Sequence, residues 1–155
     1  MATDVTTREY HELTIDFWGN IVVASIIGGV LMGLIMTEIM GMIQVVGALY
    51  GFETSRLGWV FHLWHSAVFG LFFGGFFMWH RIGKFHDRIL ASTTIGITWG
   101  MLLWVVAAGI VMPIWMGSLS APAQPLPALN PWSGIGHLVY GAVLGGGAAA
   151  LHKWF

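Results

Sequence analysis

The chain has 155 residues, with six Lys and Arg against seven Asp and Glu and a formal net charge of −1. Only 8% of its residues are charged and 57% are apolar, whereas a soluble domain carries about a quarter charged residues to face water. This composition excludes an ordinary water-soluble globule and gives no support to nucleic-acid binding; the absence of Cys excludes disulfides, thiolate metal sites and cysteine nucleophiles.

Residues 1–16 are polar and mixed in charge, without the basic stretch and short apolar core of a secretory signal. The first apolar block then runs from Phe17 to Ala48. It exceeds the roughly 20 residues that cross a hydrocarbon core about 30 Å thick, so it is expected to tilt, break or extend into water. A second block covers Leu57 to Trp79, a third Ile89 to Met116 and a fourth Trp132 to Trp154. The short segment from His80 to Arg88 is basic and suits anionic lipid headgroups. The segment from Gly117 to Pro131 holds four prolines, so it is expected to be extended and to fold over one mouth of the bundle or dock on a partner. Asn130 before Pro131 makes a good N-cap and first-turn pair for the fourth helix.

Arg8, Arg81, Lys84, Arg88 and Lys153 fall on one side of this arrangement and only Arg56 on the other. The positive-inside rule then puts both termini in the cytoplasm. Trp18, Trp59, Trp79, Trp115, Trp132 and Trp154 sit near block ends, where amphipathic rings prefer the headgroup region. The expectation is an all-α membrane protein of one domain, residues 1–155, crossing the cell membrane four times.

The second and fourth blocks match at an offset of 75 residues. His62-Leu63 corresponds to His137-Leu138, Ala67-Val68 to Ala142-Val143, Gly70 to Gly145 and Trp79 to Trp154. Gly29-x-x-x-Gly33 and Gly96-x-x-x-Gly100 align more weakly in the first and third blocks. Two copies of a helical hairpin, related by an axis along the membrane normal, predict a pseudo-twofold four-helix bundle. Small residues four apart let helices approach closely. His62, Ser66 and Gly70 share one such stripe, and His137, Gly141 and Gly145 share another.

Ionisable groups inside the blocks are Glu38, His62, His65 and His137, whereas His80, His86 and His152 fall near block ends. Such groups are costly in lipid and turn inward to be paired or ligated. Three readings follow. His62 and His137, at matched depth, can be the axial ligands of a haem b. Gly70, Gly141 and Gly145 would then make room for the porphyrin, and Tyr140, which replaces His65 in the second copy, would donate to the ligand or to Glu38. Alternatively His62, His65, His137 and Glu38 hold a smaller ion such as zinc or copper, with Met32, Met36 and Met40 as soft ligands for Cu(I). In the third reading each His donates to a backbone carbonyl or to Glu38 and fixes helix register, and the Met residues fill the core.

The stretches from Gly58 to Gly70 and from Gly136 to Gly145 resemble uncharacterised small four-span membrane proteins, found mostly in halophilic archaea and sometimes labelled histidine kinases. That resemblance implies the four-span fold and carries no catalytic residue; the chain has no nucleotide-binding motif or kinase core. No Ser-His-Asp order, phosphate loop or carboxylate pair is present, so the chain is not expected to be an enzyme by itself. The functional expectation is an electron-transfer module, or a subunit of a larger membrane complex, that binds haem b. The alternatives are a cofactor-free accessory subunit and a metal-site or transport protein. The lipid bilayer and further copies or other subunits are the partners expected.

Overall fold

The computed structural model describes residues 2–79, 88–119 and 125–154, with side chains over 16–76, 88–119 and 125–153. His80, Arg81, Lys84 and His86 lie outside the described residues, as do residues 120–124 and the side chains of Arg8, Trp79 and Trp154. The described residues are all helical apart from turns and connections: α1 (Ala2–Leu34), a π-helical turn (Ile35–Ile39), α2 (Ile43–Ala48), α3 (Ser55–Trp79), α4 (Ile89–Leu103), a π-helix (Trp104–Val111), α5 (Met112–Ser118) and α6 (Pro131–Trp154). Four stretches are long and apolar enough to cross a membrane: Asp16–Ile39, Ser55–Phe76, Ile89–Ser118 and Pro131–Lys153. We call these the first to fourth spans.

The first apolar block breaks. Beyond Leu34 the backbone widens into the π turn, where the Met42 N–H reaches back to the Met36 carbonyl at 2.9 Å. Gly41 then takes φ 61°, the left-handed region that side chains resist, and the chain reverses into α2. A second left-handed glycine, Gly51 at φ 83°, leads on to α3. α2 lies on the start of α3, because Gly47 and Gly58 carry no side chain: a Cβ on Gly58 would strike the Ile43 carbonyl.

The third span has 30 residues, roughly 45 Å at 1.5 Å per residue, and so outruns a 30 Å core. Its π-helix precedes Pro113, which has no N–H to give the Gly109 carbonyl one turn back. The proline-rich segment supplies the missing donor, since the Ala128 N–H reaches that carbonyl at 2.8 Å. The segment therefore docks on the third span. The Trp104 indole N–H donates to the Asn130 carbonyl at 3.2 Å, and the Asn130 side chain caps α6 by accepting from Trp132 N–H at 2.9 Å and Ser133 N–H at 3.3 Å. α6 consequently starts beside the middle of the third span, and α5 projects past it.

In cross-section the helices follow the order α3, α1, α6, α4. The closest seam is α4 on α6, where side chains are absent: a Cβ on Gly96 would meet the Gly141 carbonyl, one on Gly100 the His137 carbonyl, and one on Gly145 the Ser92 carbonyl. Between α1 and α3 the notches of Gly29 and Gly33 take the side chains of Ser66 and of Trp59 and His62. Ile21, Ala24, Met32, Phe73, Leu103, Tyr140 and Leu144 form the buried core between these seams. α3 and α4 barely touch; their link is Trp99, whose ring lies 6.1 Å from Phe73 and 6.3 Å from Phe76.

Candidate functional site

Because α3 and the third span stand apart, a cavity of about 160 Å³ opens between them, towards the α2 end. Its polar wall comes from α3 (His62, His65, Ser66) and α6 (Ser133, His137, Tyr140). Its apolar wall comes from Met32 and Met36 of the first span, Val46 and Leu49 around α2, and Leu103, Ala107 and Ala108 on the third span. The small side chains that leave the space are thus the two alanines of the π-helix.

Each histidine is held by a specific partner. The His62 Nε2–H donates to the Gly29 carbonyl at 2.9 Å, across the helix seam and fully buried. The His137 Nδ1–H donates to the Ser133 carbonyl at 2.8 Å, one turn back on α6. A carbonyl can only accept, so both tautomers are fixed, with Nδ1 of His62 and Nε2 of His137 left as bare lone pairs. The Tyr50 hydroxyl sits 2.7 Å from Nε2 of His65. Burial pushes that phenol above its usual range, so it keeps its proton, and which of the two donates follows the His65 tautomer. The Tyr140 hydroxyl donates to the Ser66 carbonyl at 2.7 Å and ties α6 to α3 across the core. The Ser66 hydroxyl donates to the His62 carbonyl at 2.9 Å.

The cavity has a floor and a roof of aromatic rings. Trp99 against Phe73 and Phe76 bridges the gap below it. Above it Tyr50 stacks on Phe61 of α3 at 4.0 Å and meets Trp115 of α5 edge-on at 5.4 Å. Between these contacts the gap is open sideways. Phe72 of α3 and Val105 and Val106 of the third span are exposed on these two helices.

The structure brings His62, His65, His137, Tyr140, Met32 and Met36 to one cavity, and it sets the other site residues read from the sequence elsewhere. Gly70, Gly141 and Gly145 do not line it: Gly70 takes Ser25 of α1, and the other two are filled by the backbone of α4. Glu38 is exposed on the π turn and bonds to none of the three histidines. Among the described residues no three His, Asp or Glu side chains stand close enough to share one metal ion. Met40 is half-buried outside the cavity. Sequence reasoning missed Tyr50, Ser133 and the Ala107-Ala108 pair. Ser133 had a signal, since it lies one helical turn before His137; Tyr50 had none, because only the reversal at Gly41 brings it to His65.

Neither a family model, nor a curated protein, nor a solved structure matches this chain.

Proposed function

We propose that this is a membrane-embedded binding protein whose histidine-lined cavity takes a small lipid-soluble molecule from the side. The observation that carries this reading is the gap between α3 and the third span, bounded by the Trp99 and Tyr50–Trp115 contacts and lined mostly by apolar side chains. In a bilayer that opening faces acyl chains, so an apolar ligand reaches it without crossing water. The apolar walls suit the body of such a molecule, and the histidines suit a polar head.

A haem b is the second reading, and two bare imidazole lone pairs in one cavity favour it. Both imidazoles donate their other N–H to backbone carbonyls, as ligating histidines do. His62 and His137 would hold the iron, which would supply one-electron chemistry. Against it, no Lys or Arg among the described residues lines the cavity to meet the haem carboxylates, and the glycines expected to admit the porphyrin face are filled by neighbouring helices. The small-ion set with Glu38 finds no support in the placement of that carboxylate. A duplicated hairpin is supported by the parallel roles of the glycine pairs: Gly29 and Gly33 receive α3 near His62, and Gly96 and Gly100 receive α6 near His137. We place both termini on the cytoplasmic side, so that the cavity lies in the opposite leaflet.

The test is to purify the protein in mild detergent, record oxidised and reduced absorption spectra, and extract the sample for mass spectrometry. A lipophilic molecule recovered with the wild type and lost from Ala108→Trp, which fills the cavity, supports the proposal. A Soret band lost from His137→Ala establishes the haem instead. A colourless sample that neither carries nor binds any lipophilic compound leaves a cofactor-free accessory subunit.

A further inference from the structure

The polar groups around the cavity differ in what they can still offer a ligand. The Tyr140 and Ser66 hydroxyls already donate to backbone carbonyls, and the Tyr50 hydroxyl is paired with His65. His62 and His137 have each given their one N–H to a carbonyl. On His62 the Cδ2 edge lies against α1, 3.1 Å from where a Gly33 Cβ would be, so the opposite edge with Nδ1 turns away from α1. Nε2 of His137 has no partner among the described residues. Neither nitrogen is sealed in protein, because the one buried side-chain polar atom without a partner among the described residues is Trp99 Nε1. Shifting either proton to the bare nitrogen would set a ring lone pair against a carbonyl oxygen, so the tautomers cannot adapt to a ligand without losing a buried bond.

We infer that the cavity selects a head group carrying two hydroxyl donors, one for Nδ1 of His62 and one for Nε2 of His137, over the same molecule with only carbonyl or ether oxygens. This inference rests on the ligand-binding reading above and names the chemistry of its ligand. A head that only accepts would leave both nitrogens unpaired out of water, and the Ser133 hydroxyl, which can donate to such a head, would not relieve them. Sites built to pair a hydroxyl reject analogues lacking it far more strongly than apolar pockets reject a missing methylene. Two membrane-soluble sources share this chemistry: an aromatic diol of the hydroquinone class and the free diol of a monoacylglycerol.

The experiment uses the full chain in nanodiscs, held without oxygen, and follows tryptophan fluorescence as each of four probes is added. The probes are a decyl-substituted hydroquinone, its dimethyl ether, a monoacylglycerol and its dimethyl ether. We expect one diol to bind about tenfold or more tighter than its own ether, roughly the loss for one buried group left unpaired; the better diol identifies the source. In His137→Phe that advantage should shrink, while the ether binds at least as tightly as to the wild type and shows that the cavity is intact. Ethers and diols binding alike overturn the head-group inference and leave the ligand reading standing. No binding by any of the four overturns both. Haem or metal recovered with the wild-type protein and lost from His137→Phe also overturns it, since the lone pairs are then already used.

Discussion

Replacing Gly141 by Ala tests the seam on which the arrangement of α4 and α6 depends. The added Cβ would strike the Gly96 carbonyl oxygen and lie 2.8 Å from its carbon and 3.1 Å from Gly100 Cα. Ordinary contact begins near 3.4–4.0 Å, and all three neighbours are backbone atoms that no rotamer change can move. The helices must therefore part by several tenths of an ångström to about 1 Å, and a gap of that size forfeits about a quarter to a half of each contact along the seam. Overpacking of this kind costs about 1–3 kcal/mol. Gly75→Ala is the control, because nothing lies within 4 Å of its missing Cβ. There the better helix propensity of Ala makes the change neutral or stabilising by up to about 1 kcal/mol. Reversible unfolding in mixed detergent, followed by far-ultraviolet circular dichroism, gives both values. If Gly141→Ala proves as harmless as Gly75→Ala, α4 and α6 do not meet backbone to backbone and the packing described above is wrong.

Other changes test separate joints. Tyr140→Phe removes the bond to the Ser66 carbonyl, and the same unfolding assay should show a loss of about 1 kcal/mol. Asn130→Ala strips the α6 cap and should cost about 0.5–2 kcal/mol, with Asn130→Asp close to wild type. Ala128→Pro deletes the N–H that satisfies the Gly109 carbonyl. The docked segment should then be cut faster by added protease, while the helical content measured by circular dichroism changes little. Ala108→Trp should abolish ligand binding without lowering stability; a variant that still binds would place the ligand outside this cavity.

Four apolar stretches were readable from residue counts alone, because lipid demands their length and composition. The depth of His62 and His137 was readable too, since both are set by helix starts at Ser55 and Pro131. Their convergence on one cavity followed from that. The bend after Leu34 was harder to place. Gly41 and Gly51 mark it, but in a chain with 22 glycines a left-handed position looks like any packing glycine. The same ambiguity misdirected Gly141 and Gly145: spacing by four says that something approaches closely, and a helix backbone and a flat ligand satisfy that equally well. Pro113 signalled a disturbed helix inside the third block, yet the partner of the freed carbonyl lies 19 residues away at Ala128. Glu38 illustrates a different limit. Depth along the first span set it near the histidines, but the π turn changes the angular register there and leaves the carboxylate exposed.

Two of the three seams of the bundle differ in what they bring together. Along α4 and α6 the touching surfaces are carbonyls and Cα atoms, which have no rotamers, so those helices behave as a single beam. Along α1 and α3 the touching surfaces are the side chains of Ser66, Trp59 and His62 seated in glycine notches, and these can slide or rotate. α3 is also pinned at its start, where Gly58 meets the Ile43 carbonyl of α2 backbone to backbone. Any widening of the gap between α3 and the third span by movement of α3 would therefore have to break the Tyr140–Ser66 bond in the core and strain the Gly58–Ile43 contact at the helix start.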